Sequence, residues 1–258
     1  YYLYNTYKNS FKINGFKAFD EKYQIILEPY KRKWLPALDN SRLIDQNIKI
    51  SEDPFNQTFI SLNPIDRKKQ LEFQKYQINY QIGKPLIDYY TYLPKSVSNE
   101  LVDWVKTNKQ TRSNTEYLNH ILSTFADGSY YYNLSPENNL QNTYADFFFR
   151  GKEGYCEYFA GTFVLLARLA NIPSRIVSGY YGGELNTVGD FYEFRQRDTH
   201  AWAEVWLNGK GWVRVDPTSV IPSSNVRNSL NNIFNDEDNS ASSIFTFKIF
   251  KNLSYYIT

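Results

Sequence analysis

One cysteine, two histidines and an aspartate at a strand exit supply the chemistry this sequence offers. Cys156 follows the glycine-punctuated turn Gly151-Lys152-Glu153-Gly154-Tyr155 and opens a helical run to about Ala170, with Phe159, Phe163, Leu166, Ala167 and Ala170 on one apolar stripe. A lone cysteine is most often a small buried hydrophobe. A thiol at a helix start, however, faces unpaired backbone N–H groups and the positive end of the helix dipole. Both favour a thiolate, and the N–H groups can also hold an oxyanion. His200 heads His200-Ala201-Trp202-Ala203-Glu204-Val205-Trp206, where an imidazole can take the thiol proton and later donate one to a leaving amine. Asp216, in Asp216-Pro217-Thr218 at the end of the next strand, can hold the second imidazole nitrogen and fix its tautomer. Singly, each has a plainer reading: a packed histidine among tryptophans, and an aspartate in a strand-exit turn. Together, in this order and on these elements, they read as nucleophile, base and orienting acid. His120, off the Leu118/Ile121/Leu122 stripe, reads as a solvated surface histidine.

The strands that must position His200 and Asp216 are constrained by their side-chain alternation. His200, Trp202, Glu204 and Trp206 share one face of the first strand, and Trp212, Arg214 and Asp216 share a face of the second. A two-residue Asn208-Gly209 turn would pair Ala201 with Asp216 and point Asp216 away from His200. A three-residue loop, Asn208 to Lys210, or a five-residue loop in the same register, pairs Leu207 with Gly211. Asp216 then lies across from Trp202 and diagonal to His200, while Glu204 faces Arg214, an expected cross-strand ion pair.

Other elements frame this centre. Ser113 and Glu116 form a capping box ahead of Leu118, Ile121, Leu122 and Phe125 at helical spacing. Asn171 and Pro173 end the helix that Cys156 opens, and strands follow at Ser174 to Tyr180 and Phe191 to Arg195, around a Gly-rich loop. The first third reads as β-structure, with short runs at Tyr23 to Leu27 and Lys33 to Leu38. Tyr76, Ile78, Tyr80 and Ile82 alternate with Gln77, Asn79 and Gln81. Gly83, Pro85 and Pro94 then break the pattern. The expected division is a β-rich domain at 1–95, a catalytic core at 96–222 and a polar linker or tail at 223–258.

Composition narrows the function classes. A net charge of +2 with no basic stripe gives no reason to expect nucleic acid as a partner. One cysteine excludes an internal disulfide framework and a multi-cysteine zinc site. Two histidines without an H-E-x-x-H spacing, and carboxylates without a calcium-loop pattern, leave no metal site or cofactor expected. No apolar run of about 18 residues spans a membrane. With no Met, the chain reads as a processed product or an excised segment of something longer.

Four blocks, Gly154 to Ala160, Asn171 to Tyr180, His200 to Val205 and Gly211 to Thr218, resemble the transglutaminase-like superfamily in order and spacing, over about residues 100 to 222. The resemblance implies an α+β, papain-like core with the nucleophile at a helix start and the base and acid on adjacent strands. By motif position, Cys156, His200 and Asp216 match the family triad. The activity implied is a cysteine-dependent acyl transfer, from a glutamine-like carboxamide through a thioester to a lysine amine or water. The rivals are a thiol peptidase or amidase on the same triad and a non-catalytic interaction domain. The cathepsin-type cysteine signature is absent, and the step from Cys156 to His200 is far shorter than in that family. The second oxyanion donor is unassigned, with Arg150 and nearby aromatics as candidates. Upstream, Tyr23 to Pro29 and Arg32 to Asp39 are similar to the region preceding the core in bacterial inner-membrane proteins with an extracytoplasmic transglutaminase-like domain. That branch implies a periplasmic, membrane-anchored protein acting on protein or peptide substrates bearing glutamine or lysine. The apolar-basic segment Ile244 to Ile257 would fit such an anchor, or a final surface strand.

Overall fold

The computed structural model describes residues 11–44, 48–53, 57–136 and 144–226, with the backbone alone at 11–14, 16 and 78–80. The expected polar tail and its apolar-basic segment lie, from residue 227 onward, outside the described residues. The chain divides into two compact units, residues 1–88 and 89–258. Among the described residues, no helix is long and apolar enough to cross a membrane.

The first unit is antiparallel β-structure. β1 (Phe11–Leu27) pairs with β6 (Lys69–Ile82), and β3 (Ser41–Leu43) lies on the other edge of β6. A second sheet orders β2 (Trp34–Leu35), β5 (Thr58–Ser61) and β4 (Ile50–Asp53). The alternation at Tyr76 to Ile82 therefore lies in β6, which runs back as far as Lys69. The run expected at Lys33 to Leu38 yields only Trp34–Leu35, because Pro36 has no N–H to continue a ladder. A small core of Leu27, Leu35, Leu43, Phe59, Ile65, Leu71 and Phe73 holds this unit, with Tyr23 stacked on Phe73 at 5.3 Å. After β6 the chain enters α1 (Lys84–Tyr90).

The second unit is built around a buried helix. α2 (Asn99–Lys109) starts at an Ser98 N-cap, and α3 (Asn114–Phe125) starts at the expected capping box. Ser113 Oγ accepts from Glu116 N at 3.3 Å, and Glu116 carboxylate accepts from Ser113 N at 2.7 Å. α4 (Cys156–Leu169) packs on a three-stranded sheet and on α2 and α3. Every residue from Phe159 to Ala167 is buried, so the expected single stripe widens to the whole circumference. On one side lie Ala203, Val205 and Val215; on the other is an aromatic cluster including Phe125, Tyr130, Phe147 and Phe148. Each large ring buried there contributes roughly 2–3 kcal/mol. Asn171, at φ 57°, takes the left-handed conformation that ends the helix.

The sheet comprises β9 (Ser174–Tyr180), β12 (Thr199–Leu207) and β13 (Gly211–Val215). Between β9 and β12 the Gly-rich loop carries a small hairpin, β10 (Glu184–Asn186) with β11 (Phe191–Glu193). The β12–β13 ladder pairs Leu207 with Gly211, Trp206 with Trp212, Glu204 with Arg214 and Ala203 with Val215. This is the register of the loop Asn208 to Lys210, and Gly209 and Gly211 supply its positive φ angles, each 80°.

Three expectations differ from the structure. Glu204 faces Arg214 in register but forms its ion pair with Arg175 on β9, at 2.7 Å, while Arg214 lays its guanidinium over the Trp202 ring at 3.7 Å. The planar cation gains more from that aromatic face than from a carboxylate already taken. His120 is not a free surface imidazole: it stacks on Trp104 at 5.6 Å and bonds Asn108 at 2.9 Å, and burial lowers its pKa. Ser223 to Val226, the start of the expected tail, is anchored through one buried residue, while Ser223 and Ser224 stay exposed. Asn225 Nδ2 donates to the carbonyls of Gly128 and Tyr130, at 2.8 and 2.9 Å, where polarity alone suggested no packing.

Candidate active site

Cys156 is the first residue of α4, and its N-cap, Tyr155, offers no side-chain cap. The first N–H groups of the helix are thus left to whatever lies at the thiol. The approach to Cys156 is fixed by β8 (Glu153–Gly154), which pairs in parallel with β7 (Tyr131–Tyr132). Tyr131 N donates to Lys152 O at 2.8 Å, and Asn133 N to Gly154 O at 2.9 Å. Lys152, at φ 53°, makes the turn into β8, and the buried Glu153 accepts from Asn133 Nδ2 at 2.6 Å.

The register of β12 and β13 brings His200 and Asp216 to the same face. Their side chains meet with His200 Nε2 2.7 Å from Asp216 Oδ2. Asp216 is also the N-cap of the short 3₁₀ turn Pro217–Val220: its Oδ1 accepts from Thr218 N at 3.0 Å and Thr218 Oγ1 at 2.7 Å. Burial alone would raise the Asp216 pKa, but the His200 and Thr218 hydrogen bonds and the imidazole charge outweigh it and hold the carboxyl below its usual range. An ionised carboxylate only accepts, so Nε2 carries the proton and Nδ1 is the nitrogen left for the thiol.

Cys156 lies close enough to the His200 imidazole to favour its protonated form. Burial disfavours its charge, yet its contacts with Asp216 and Cys156 prevail and push its pKa up to about 9. Tyr181 and Trp202 flank the ring at 5.6 and 6.4 Å. Gly179 leaves room for Trp202: a Cβ there would come within 2.8 Å of the indole. The three residues singled out in the sequence are therefore brought together.

Arg150 is not. Its guanidinium is exposed and bound to both Glu100 oxygens, each at 2.8 Å, and to Asp146. Sequence reasoning missed Tyr132, whose backbone pairs with Gly154 and whose ring lies against Phe159, on either side of Cys156 in the chain. A two-residue strand has no periodicity to read, and the only signal was the aromatic run Tyr130-Tyr131-Tyr132 ahead of the cysteine turn. Among the described residues, no group of three or more His, Cys, Asp or Glu side chains is placed to hold a metal ion.

The chain is similar to several known proteins. Residues 95–217 match the model of the transglutaminase-like superfamily. The protein-glutamine gamma-glutamyltransferase of Pseudomonas aeruginosa is 27% identical over 220 residues, 81% of this chain and 31% of that protein. The uncharacterized protein YebA of Bacillus subtilis is 38% identical over 90 residues, 33% of this chain and 12% of that protein. This chain thus spans less than a third of either curated relative. The crystal structure of the periplasmic domain of TgpA from P. aeruginosa bound to ethylmercury superimposes with a TM-score of 0.73 at 24% identity, covering 81% of this chain and 77% of that one. The same domain in a second crystal structure gives 0.70. The fold is α+β and papain-like, and residues 95–217 carry the match to the transglutaminase-like superfamily.

Proposed function

We propose that this protein is a cysteine acyltransferase of transglutaminase type, with Cys156 as nucleophile, His200 as its base and later acid, and Asp216 holding the imidazole. The observation that carries this reading is the His200–Asp216 bond of 2.7 Å beside a thiol on the first residue of a buried helix. Cys156 Sγ attacks the carbon of a glutamine side-chain carboxamide, and the C–N bond breaks as the His200 imidazolium passes its proton to the departing ammonia. The neutral imidazole then takes a proton from a lysine amine or from water. That nucleophile attacks the thioester, and the thiolate leaves to pair again with the imidazolium. The gamma-glutamyltransferase relative supports carboxamide chemistry on protein substrates.

In this reading residues 96–222 are the catalytic domain, 1–95 a β-rich domain ahead of it and 223–258 the way to a membrane helix in the full-length protein. The likeness to the periplasmic domain of TgpA supports a periplasmic site of action for a bacterial membrane-anchored protein.

Incorporation of a labelled primary amine into a glutamine-bearing protein tests the transferase. Cys156-dependent incorporation is the expected result. Carboxamide hydrolysis with no incorporation at saturating amine would instead assign the protein as a hydrolase. Iodoacetamide should alkylate Cys156 at pH 7 much faster than it alkylates glutathione, and equal rates across pH 6 to 8 would remove the nucleophile.

A further inference from the structure

A single hydrogen bond fixes one point of an imidazole and leaves the ring free to swing about that contact. The 2.7 Å bond from His200 Nε2 to Asp216 therefore does not by itself aim the other nitrogen. The plane of the ring must be set by what lies against its faces. Tyr181 and Trp202 lie there, with centroids at 5.6 and 6.4 Å, and the Trp202 indole is 23° from parallel to the imidazole. Trp202 is buried, and its indole N–H has no hydrogen-bond partner among the described residues, so packing alone orients it. Gly179, the β9 partner of His200, meets the benzo edge of that indole, where a Cβ would come within 2.8 Å. Arg214 covers its face: the guanidinium lies 3.7 Å from the Trp202 centroid and 5.5 Å from that of Tyr181. No carboxylate ties Arg214 down. Its register partner Glu204 is held by Arg175 at 2.7 Å, and its buried Nη2 has no hydrogen-bond partner among the described residues. A guanidinium donor buried without an acceptor costs stability, so ion pairing within the sheet does not explain its place.

We propose that Arg214 is a positioning residue: by clamping the Trp202 and Tyr181 rings, it fixes the plane of the His200 imidazole and so aims the nitrogen not bound to Asp216. This rests on the acyl-transfer reading above, in which His200 is the base. The role suits a guanidinium by shape, because a flat cation lies flush on an aromatic face where an ammonium makes a point contact. Arg214 moves no proton and acts only through the two rings. Asp216 is already bonded to His200, and the Arg175–Glu204 pair on the same sheet face is complete without Arg214. What Arg214 adds is a flat surface against both rings that flank the base.

Arg214→Met keeps an unbranched side chain and removes the flat cation, whereas Arg214→Lys keeps the charge alone. Gly179→Ala pushes on the indole edge with Arg214 intact. Acylation by p-nitrophenyl acetate, followed as the burst of p-nitrophenolate, reads the base at work. Proton NMR of the imidazole C–H groups reads the ring itself: the chain has two histidines, and His200→Gln identifies the His200 signals. The expected result in each variant is acylation slower by about tenfold, with the His200 signals displaced and those of His120, stacked on Trp104, unmoved. Should Arg214→Met fail to fold, the other two variants carry the same test. Displacement of both histidines would make Arg214 a general packing residue and overturn the clamp, as would unmoved His200 signals or an unchanged rate. Full recovery of both readouts in Arg214→Lys would assign the effect to charge and overturn it too. In a His200→Gln background, Arg214→Met should slow the residual acylation by less than about twofold, and a further tenfold loss would show that Arg214 does not act through His200. An unsubstituted protein showing no burst beyond that of Cys156→Ala would overturn the nucleophile assignment itself, and the positioning role with it.

Discussion

The two sides of the candidate site are held by different kinds of structure. His200 and Asp216 sit on an antiparallel sheet whose register is fixed repeatedly: by the pairs running from Ala203–Val215 to Leu207–Gly211, by seven pairs between β12 and β9, by the Arg175–Glu204 ion pair and by the Thr218 cap on Asp216. Cys156 and Tyr132 depend on a helix start without a side-chain cap and on a parallel bridge of two residue pairs. A one-residue slip on the first side would turn every side chain over and is opposed by many contacts at once. On the second side, precision comes from close packing of a few rings. The base side should therefore tolerate local strain better than the thiol side, and single changes can test that.

The largest effects should come from the reacting groups. Cys156→Ala should abolish turnover with an unchanged fold, since the thiol is small and at a helix end. His200→Ala should lower kcat by about 10³–10⁴-fold, and Asp216→Asn by a similar factor through loss of the Nε2–H tautomer. His120→Ala should leave kcat unchanged, because that imidazole serves the α2–α3 packing. Steady-state rates on one amide substrate decide the set, and an Asp216→Asn variant retaining more than a tenth of the activity would remove Asp216 from the triad.

Next in size is the buried ion pair behind the site. The side chains of Arg175 and Glu204 are 12% and 10% exposed, and Arg175 also lies over Trp212 at 4.3 Å. Arg175→Ala leaves a buried carboxylate without its charge partner and should cost about 3–5 kcal/mol in urea unfolding. Arg150→Ala removes an exposed pair and should cost less than about 1 kcal/mol. Equal costs would mean that the sheet register does not depend on the pair.

The His200–Asp216 contact should also appear in the pH dependence of stability. His200 is raised from 6.5 to about 9, so its stabilisation is complete below pH 6.5 and is lost as pH rises through 9. Asp216 is lowered from 3.8, so its share is present above that value and is lost as pH falls through the folded pKa. Stability from this pair should thus be greatest between about pH 4 and 6.5 and should fall by at most about 3 kcal/mol toward pH 9.5. In His200→Gln the alkaline fall should shrink. An unchanged fall in that variant would assign it to other groups.

The division between the two sides also explains what could be read in advance. The β12–β13 register was legible because alternation makes a one-residue error cost every side chain, and α4 was legible from its stripe and its Asn171-Ile172-Pro173 stop. The ion pair was half legible: the pairing of Glu204 with Arg214 was right, but Glu204 has two flanking strands, and the choice of Arg175 depends on where the tryptophan faces lie. Tyr132 was not legible. Its bridge to Gly154 is a non-local pairing of two short strands, and its place beside the cysteine helix shows only in the packing of its ring on Phe159.

The smallest effects make the sharpest comparison, because they alter one atom on each side. Gly209 lies in the β12–β13 loop at φ 80°, and a Cβ there would meet nothing within 4 Å. Gly209→Ala should therefore cost only the left-handed strain, about 1 kcal/mol, and leave the rate unchanged. Gly154 has no such φ constraint, yet a Cβ there would fall 2.9 Å from the Cβ, Cγ and Cδ2 of Tyr158. The near end of that side chain cannot swing away, and its ring is already packed edge-on against Tyr155 at 5.0 Å. Gly154→Ala should cost about 1–3 kcal/mol by overpacking. Since Gly154 is the residue paired with Tyr132, the strain should pass into the thiol side and lower Cys156 acylation by at least tenfold. The two variants could have similar melting temperatures and still differ in rate, and that difference is the measurement that matters. A Gly154→Ala protein acylated as fast as the Gly209→Ala protein would show that the short parallel bridge holds the thiol as firmly as the long antiparallel register holds the base.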